Sequence, residues 1–179
     1  MKRIAPCATA LALALTTTCI FAGSIEPGDH MEMAAVLKAP ITPTQAVRIA
    51  EHGGGRAYGY GMEANAHGYW YEVDVLRGNA RLDLRIDASS GKVLGSSAAH
   101  GEDAHGARAL DGSTLTFGEA IAQAERVGNG PALEANAAGH GTGAHVDVDI
   151  IQNHGKRIAH YRVSMRDGHI STAMIGSDA

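Results

Sequence analysis

One pattern occurs twice in this chain, and that duplication limits what it can fold into more than any other feature. Ile41 to Glu51 (ITPTQAVRIAE) lies over Leu115 to Glu125 (LTFGEAIAQAE) position for position, at an offset of 74. Each stretch opens on an apolar residue and a threonine, with Gln45 or Glu119 three residues further on. That is a capping box: the Thr42 or Thr116 hydroxyl accepts from the third helical N–H, and the Gln or Glu side chain reaches back to the cap. Pro43 suits a first helical turn, where its missing N–H costs nothing. Ala46, Ile49 and Ala50, and then Ala120, Ile121, Ala124 and Val127, follow helical spacing and define a buried stripe in each copy. Glycines at 53 to 55, and at 128 and 130, stop both helices.

After each helix the period changes to two. Tyr58, Tyr60 and Met62 alternate with glycines, and Tyr69 to Leu76 puts Tyr71, Val73 and Val75 on one face and Glu72 and Asp74 on the other. Arg77-Gly78-Asn79 turns the chain. Leu82, Leu84 and Ile86 then face a core, with Arg81, Asp83, Arg85 and Asp87 outward, before Ser90-Gly91 turns into Lys92-Val93-Leu94. The second copy is looser: Val146, Val148 and Ile150, a turn at Asn153 to Gly155, Ile158 to Val163, and Asp167-Gly168 before His169-Ile170. Gly78 aligns with Gly155 and Gly91 with Gly168, at an offset of 77. The expected fold class is α+β: two tandem units, each a helix packed on a four-stranded antiparallel sheet, over residues 41–96 and 114–176. Residues 25–40 are expected to be a flexible N-terminal segment, and the Gly, Ala, Ser and charge-rich stretch 97–113 a linker.

These stretches resemble the PepSY domain, found in propeptides of thermolysin-like metallopeptidases and in the spore germination protein YpeB. "ITPTQAVRIAEHGGG", "YEVDVLRG" and "LRIDASSGKVL" carry the resemblance, with Ser90 where Thr is usual. The second copy departs from it: "HVDVDIIQNHG" lacks the Tyr-Glu pair, and "VSMRDGHI" has Ser164 where the first copy has Asp87. The resemblance implies a noncatalytic, extracytoplasmic module that binds or inhibits peptidases or regulates activity near the cell surface. Its protein partner would be a peptidase or another envelope protein. Tandem helix-on-sheet units are also similar in architecture to β-lactamase inhibitor proteins, at the level of fold alone.

The N-terminus agrees with export. A basic Met1-Lys2-Arg3, an apolar run from Ala8 to Leu15 and small residues near Ala22 to Ser24 read as a signal peptide over residues 1–24. The apolar run is too short to span a bilayer, so no membrane span is expected after cleavage, and the expected location is periplasmic or secreted. Cys19 is a lipidation candidate in principle, but Thr16-Thr17-Thr18 ahead of it lacks the Leu and the small residue expected there, so cleavage without a lipid is the preferred reading. Both cysteines, Cys7 and Cys19, lie in the removed segment, leaving a chain without disulfides, thiolate ligands or cysteine nucleophiles. Loss of Lys2 and Arg3 takes the 15 basic residues to 13 against 19 acidic ones, and the net charge from -4 to -6. That balance argues against nucleic-acid binding.

Tyr58, Tyr60 and Trp70 concentrate aromatic side chains in one sheet and are the candidate binding residues, as exposed aromatics anchor interfaces. The 10 histidines support a second reading. "HGEDAH" at 100 to 105 and "HGTGAH" at 140 to 145 pair His100 with His105 and His140 with His145. Imidazoles ligate Cu, Zn or Ni, with Glu102 and Asp103 as oxygen donors beside the first pair, and His30, Met31 and Met33 offer donors to Cu(I). The alternative function is thus a periplasmic metal-binding protein; the leading reading needs no cofactor. Glu72, Asp83 and Asp87 look like a carboxylate cluster, but Arg81 and Arg85 alternate with the two aspartates on one strand, which favours a solvated salt-bridge face over an acid–base pair. With no nucleophile elbow, P-loop, dinucleotide fingerprint or HExxH motif, no enzymatic activity is expected.

Overall fold

The computed structural model describes residues 29–99 and 106–172. Among them are three α-helices and eight strands: α1 (Asp29–Lys38), α2 (Pro43–Glu51), β1 (Arg56–Asn65), β2 (Gly68–Arg77), β3 (Ala80–Asp87), β4 (Val93–Ala98), α3 (Phe117–Gly128), β5 (Ala132–Ala138), β6 (His145–Gln152), β7 (Arg157–Ser164) and β8 (Ile170–Thr172). The fold is α+β. The strands form one antiparallel sheet in the order β4-β3-β2-β1-β5-β6-β7-β8. The sequence left the relation between its two repeats open. In the structure β1 pairs with β5 through Gly59–Asn136, Tyr60–Ala135 and Gly61–Glu134, so the sheet is continuous.

Residues paired across strands share a face. Tyr60, Met62, Tyr71, Val73, Val75, Leu84, Ile86, Val146, Val148 and Ile150 thereby fall on one side, where α2 packs over β1–β3 and α3 over β5–β7. Both capping boxes form: the Thr42 and Thr116 hydroxyls accept from Gln45 and Glu119 N–H, and both long side chains bond back. The last helical glutamates also act alike. Glu51 Oε1 accepts from Ala57 N–H and Glu125 Oε1 from Ala132 N–H, both at 3.0 Å, tying each helix to the strand that follows it.

Three expectations are corrected. Residues 29–38 of the expected flexible segment form α1, which buries Met33, Ala35 and Val36 against the core. Its Ala, Met, Leu and Glu are good helix formers, and Asp29, Glu32 and Lys38 suit the helix dipole. Within the expected linker, Gly106–Leu110 is a 3-10 turn whose Ala107, Ala109 and Leu110 are buried beside β1 and β5; residues 100–105 lie outside the described residues, as does the expected signal peptide. In α3 the buried stripe runs through Ala120, Ile121 and Ala124 to Gly128, and Val127 is 56% exposed. At Gly128, not Val127, the helix meets the sheet, and closely: a Cβ on Gly128 would stand 2.7 Å from Ile150 Cγ2.

Candidate functional site

Turn chemistry sets the edge of the sheet at β4. The Asp87 carboxylate accepts from Ser89 N–H, Ser90 N–H and the Ser90 hydroxyl at 3.1, 2.7 and 2.8 Å, and these bonds from Ser90 hold its acid below the usual range. Gly91, at φ +73°, then donates 2.8 Å to the Asp87 carbonyl, closing the turn. β4 returns along β3 with one irregularity: Arg85 pairs with Gly95 and Ile86 with Val93, so Leu94 is an extra, bulged residue. Every residue of β4 is exposed, including Val93 at 45% and Leu94 at 55%. Among the described residues no strand pairs with its outer side. The strand holds no proline and no charge, two of the devices that keep sheet edges from pairing.

Both faces of this edge are grooved. On the helix side, Ile41, Ile49 and Val93 floor a cavity of about 520 Å³ rimmed by Gln45, Arg48 and His52. On the other side, Trp70, Arg85, Leu94 and Ser96 line one of about 460 Å³. There the Arg85 guanidinium lies 5.6 Å over the Trp70 ring and its Nε 3.8 Å from Glu72 Oε2, an aromatic floor with one cation already placed.

Further in, this second face of the sheet is acidic. The register puts Glu63, Glu72, Asp74, Asp83, Glu134 and Asp149 on it, and with Asp29 and Glu32 of α1 they line a cavity of about 700 Å³ that reaches β4 at Ser97 and Ala98. Over β6 and β7 the carboxylates meet cations: Arg162 grips both Asp147 oxygens at 2.7 and 2.9 Å, and His160 pairs with Asp149. Toward β4, Asp74 and Asp83 are paired in register on this face, and the Asp74 carboxylate leans over Gly59 of β1. Burial and then the charge of Asp83 raise the Glu72 carboxyl, and burial and then Glu63 raise Glu32 to about 6.

The sequence-predicted residues separate. Tyr58 and Tyr60 are 1% and 2% exposed and belong to the core, so they present no binding patch; the Tyr60 ring packs 5.6 Å from Tyr71. The Tyr60 ring faces the helix side and Gly59 and Gly61 the acidic side, while Tyr58 is the extra residue of a bulge in β1 and its ring packs beside Gly106 of the 3-10 turn. Trp70 is half-buried and reaches the β4 edge. His140 is exposed in the loop after β5, while His145 opens β6, its Nδ1 2.7 Å from the Gly143 carbonyl and its Nε2 3.4 Å from Asp147. His100, His105, Glu102 and Asp103 lie outside the described residues. Among the described residues no three His, Cys, Asp or Glu side chains are grouped to hold a metal. Of the expected salt-bridge face, Arg85 does pair with Glu72, whereas Asp87 serves its turn and Asp83 accepts from the Ser97 hydroxyl at 3.3 Å. The period of two sets Glu72, Asp74 and Asp83 outward but does not join them to Glu63, Glu134 and Asp149, because β1 and β5 carry a single acid each and only the strand register brings them together.

No family model matches the chain, and no curated protein matches it. Among solved structures, a protein described as a "putative lipoprotein" from Clostridium difficile 630 is similar at 19% identity and a TM-score of 0.42, over 75% of this chain and 93% of that one. No helix among the described residues is long and apolar enough to cross a membrane.

Proposed function

We propose that this is an exported, noncatalytic binding protein made of two fused PepSY-like units, which holds an extended segment of a partner protein along β4. The observation that carries the reading is the β4 edge: a fully exposed strand, its outer side unpaired among the described residues, with a groove on each face. An edge of this kind takes affinity from main-chain bonds and selectivity from the grooves that receive alternate side chains. Regulation of an envelope peptidase is the role implied by the resemblance to PepSY domains.

Matched hydrogen bonds support the duplication. Besides the caps and the two glutamates, Asp87 N–H donates to Lys92 O as Ser164 N–H does to His169 O, and Ile41 N–H to Ala88 O as Leu115 N–H does to Met165 O. Asp87 with Ser164, Lys92 with His169 and Ala88 with Met165 stand at an offset of 77, and Ile41 with Leu115 at 74.

The test is selection of displayed linear peptides on the exported chain, followed by hydrogen exchange of the bound complex. The reading expects enriched peptides to slow exchange in Val93–Ala98 and to lose binding when Ser96→Pro removes an edge N–H. Failure to enrich any peptide, or protection confined to other strands, would sink it.

A further inference from the structure

Resting on that reading, we propose that the segment held along β4 is chosen on the helix side: a leucine-sized side chain seats between Ile41, Ile49 and Val93, and an aspartate or glutamate two residues from it is held by Arg48.

The way into this groove is open. On β4 the residues facing the helices are Val93, Ser96 and Ala98, the register partners of Ile86, Leu84 and Leu82. Beyond Val93 these are small, so alternate side chains of a strand added outside β4 pass over them toward α2. The groove floor is apolar, and Val93 leaves 45% of its surface to solvent in the free chain. A leucine side chain covers that surface, which alanine is too short to do. Gln45, Arg48 and His52 follow one stripe of α2 beside it, about 10 Å long at helical rise. Side chains on one face of an extended segment stand about 7 Å apart, so two of them meet the stripe.

The charge of that stripe has one sign. No carboxylate lines the groove, and Arg48 takes part in none of the salt bridges among the described residues. Its guanidinium, in the middle of the stripe on a long stem, reaches an acid on either side of the seated apolar residue, and the His52 ring adds a donor. The second unit is a natural comparison. There Leu115 stands for Ile41, Gly168 for Gly91 and Ile170 for Val93, but Gln123 for Ile49 and Ala122 for Arg48. The frame is otherwise the same: a Cβ on Gly91 would lie 3.0 Å from Ile49 Cδ1 and 3.4 Å from Ile41 Cδ1, and one on Gly168 2.9 Å from Gln123 Oε1 and 3.4 Å from Leu115 Cδ1. An amide thus breaks the apolar floor of the second unit, and Glu119 and Arg126 give its rim both signs. Selectivity for an apolar residue beside an acid therefore belongs to the first unit.

The probes are fluorescein-labelled, Thr-rich synthetic peptides, identical except for Leu or Ala at one central position and Glu, Gln or Lys two residues on, titrated against the full exported chain by anisotropy. With Glu held constant, the Leu peptide is expected to bind at least about tenfold tighter than the Ala peptide, whatever the salt. With Leu held constant, Glu is expected to bind about fivefold tighter than Lys, a margin that shrinks as salt rises. Ile49→Gln, which places in the first unit the residue the second carries in the same frame, is expected to cut the Leu preference below about threefold. Arg48→Ala, an exposed substitution by a good helix former, is expected to bring Glu and Lys peptides within about twofold of each other. If Leu and Ala peptides bind alike yet protect β4 amides from exchange, or if either preference survives its variant, the groove inference fails while edge binding stands. If no peptide binds, both fail.

Discussion

The Tyr60 hydroxyl donates to the Ala132 carbonyl at 3.2 Å in a buried setting, joining β1 to the first residue of β5. The other side of the same peptide residue is also held, since Ala132 N–H donates to Glu125 Oε1 at the end of α3. Where β1 and β2 pair along nearly their whole length, β1 and β5 share three residue pairs. Side chains that anchor β5 therefore carry an unusual part of the burden of keeping the sheet whole.

Tyr60→Phe keeps the ring, its packing against Tyr71 and its volume, and removes only the hydroxyl. The expected loss is about 1 kcal/mol, the net value of one intramolecular hydrogen bond. Urea unfolding should show a lower midpoint at an unchanged slope. A midpoint equal to that of the wild type would mean that the seam does not depend on this bond.

Gly91→Ala tests the turn that launches β4. The φ of +73° strains any L side chain, and the new Cβ would lie 3.0 Å from Ile49 Cδ1 and 3.4 Å from Ile41 Cδ1. A loss of about 1–2 kcal/mol is expected from strain and crowding together. Gly54, at φ +86° with no atom within 4 Å of where a Cβ would stand, is the control, and its alanine variant should lose about 1 kcal/mol or less. Equal losses at the two sites would remove the crowding component.

Much of this fold was legible because its signals are local. Thr42 with Gln45, and Thr116 with Glu119, marked both helix starts at the residue, and the turn glycines 78, 91, 155 and 168 all adopt positive φ. β5 was not assigned residues of its own, since ALEANAA is rich in alanine, which favours helix; its strand state comes from pairing on both sides with β1 and β6. α1 lacks a clean apolar stripe, and its helix is stabilised by a surface the sequence does not display. The site was harder still. Tyr58 and Tyr60 stand out in the sequence as aromatics, but their exposure depends on which sheet face the helices cover. The acidic cavity exists only once β1, β2, β3 and β5 are side by side.

The His160–Asp149 pair predicts one pH dependence. The hydrogen bond to Asp149 outweighs burial and raises the imidazole above its usual 6.5, with Glu134 and Asp147 adding to the effect. A raised pKa means stability that is fully present below 6.5 and lost as pH rises through the folded value. His160→Gln should therefore cost most near about pH 5.5, on the order of 1 kcal/mol after screening at this half-buried site, and much less near about pH 8.5. A cost that is the same at both pH values would show that the residue contributes packing rather than charge.

Glu32 predicts a second dependence, confined to α1. Desolvation, then Glu63, Asp29 and Glu134, lift its carboxyl from 4.5 to about 6 where α1 lies over β1 and β5. With α1 released, Glu32 ionises first, so docking weakens as pH rises from 4.5 through about 6 and is weakest above that window. Partial exposure limits the effect to about 1 kcal/mol or less. Hydrogen exchange in residues 29–38, corrected for the intrinsic rate, should show opening increase severalfold between about pH 4.5 and 7.5, while β2 and β6 amides report only global stability. Glu32→Gln has no proton to lose and should flatten the α1 profile without altering that of β2. A profile unchanged by Glu32→Gln would transfer the effect to Glu134, which also is raised, first by desolvation and then by Asp149, and Glu134→Gln would then be the variant that flattens it.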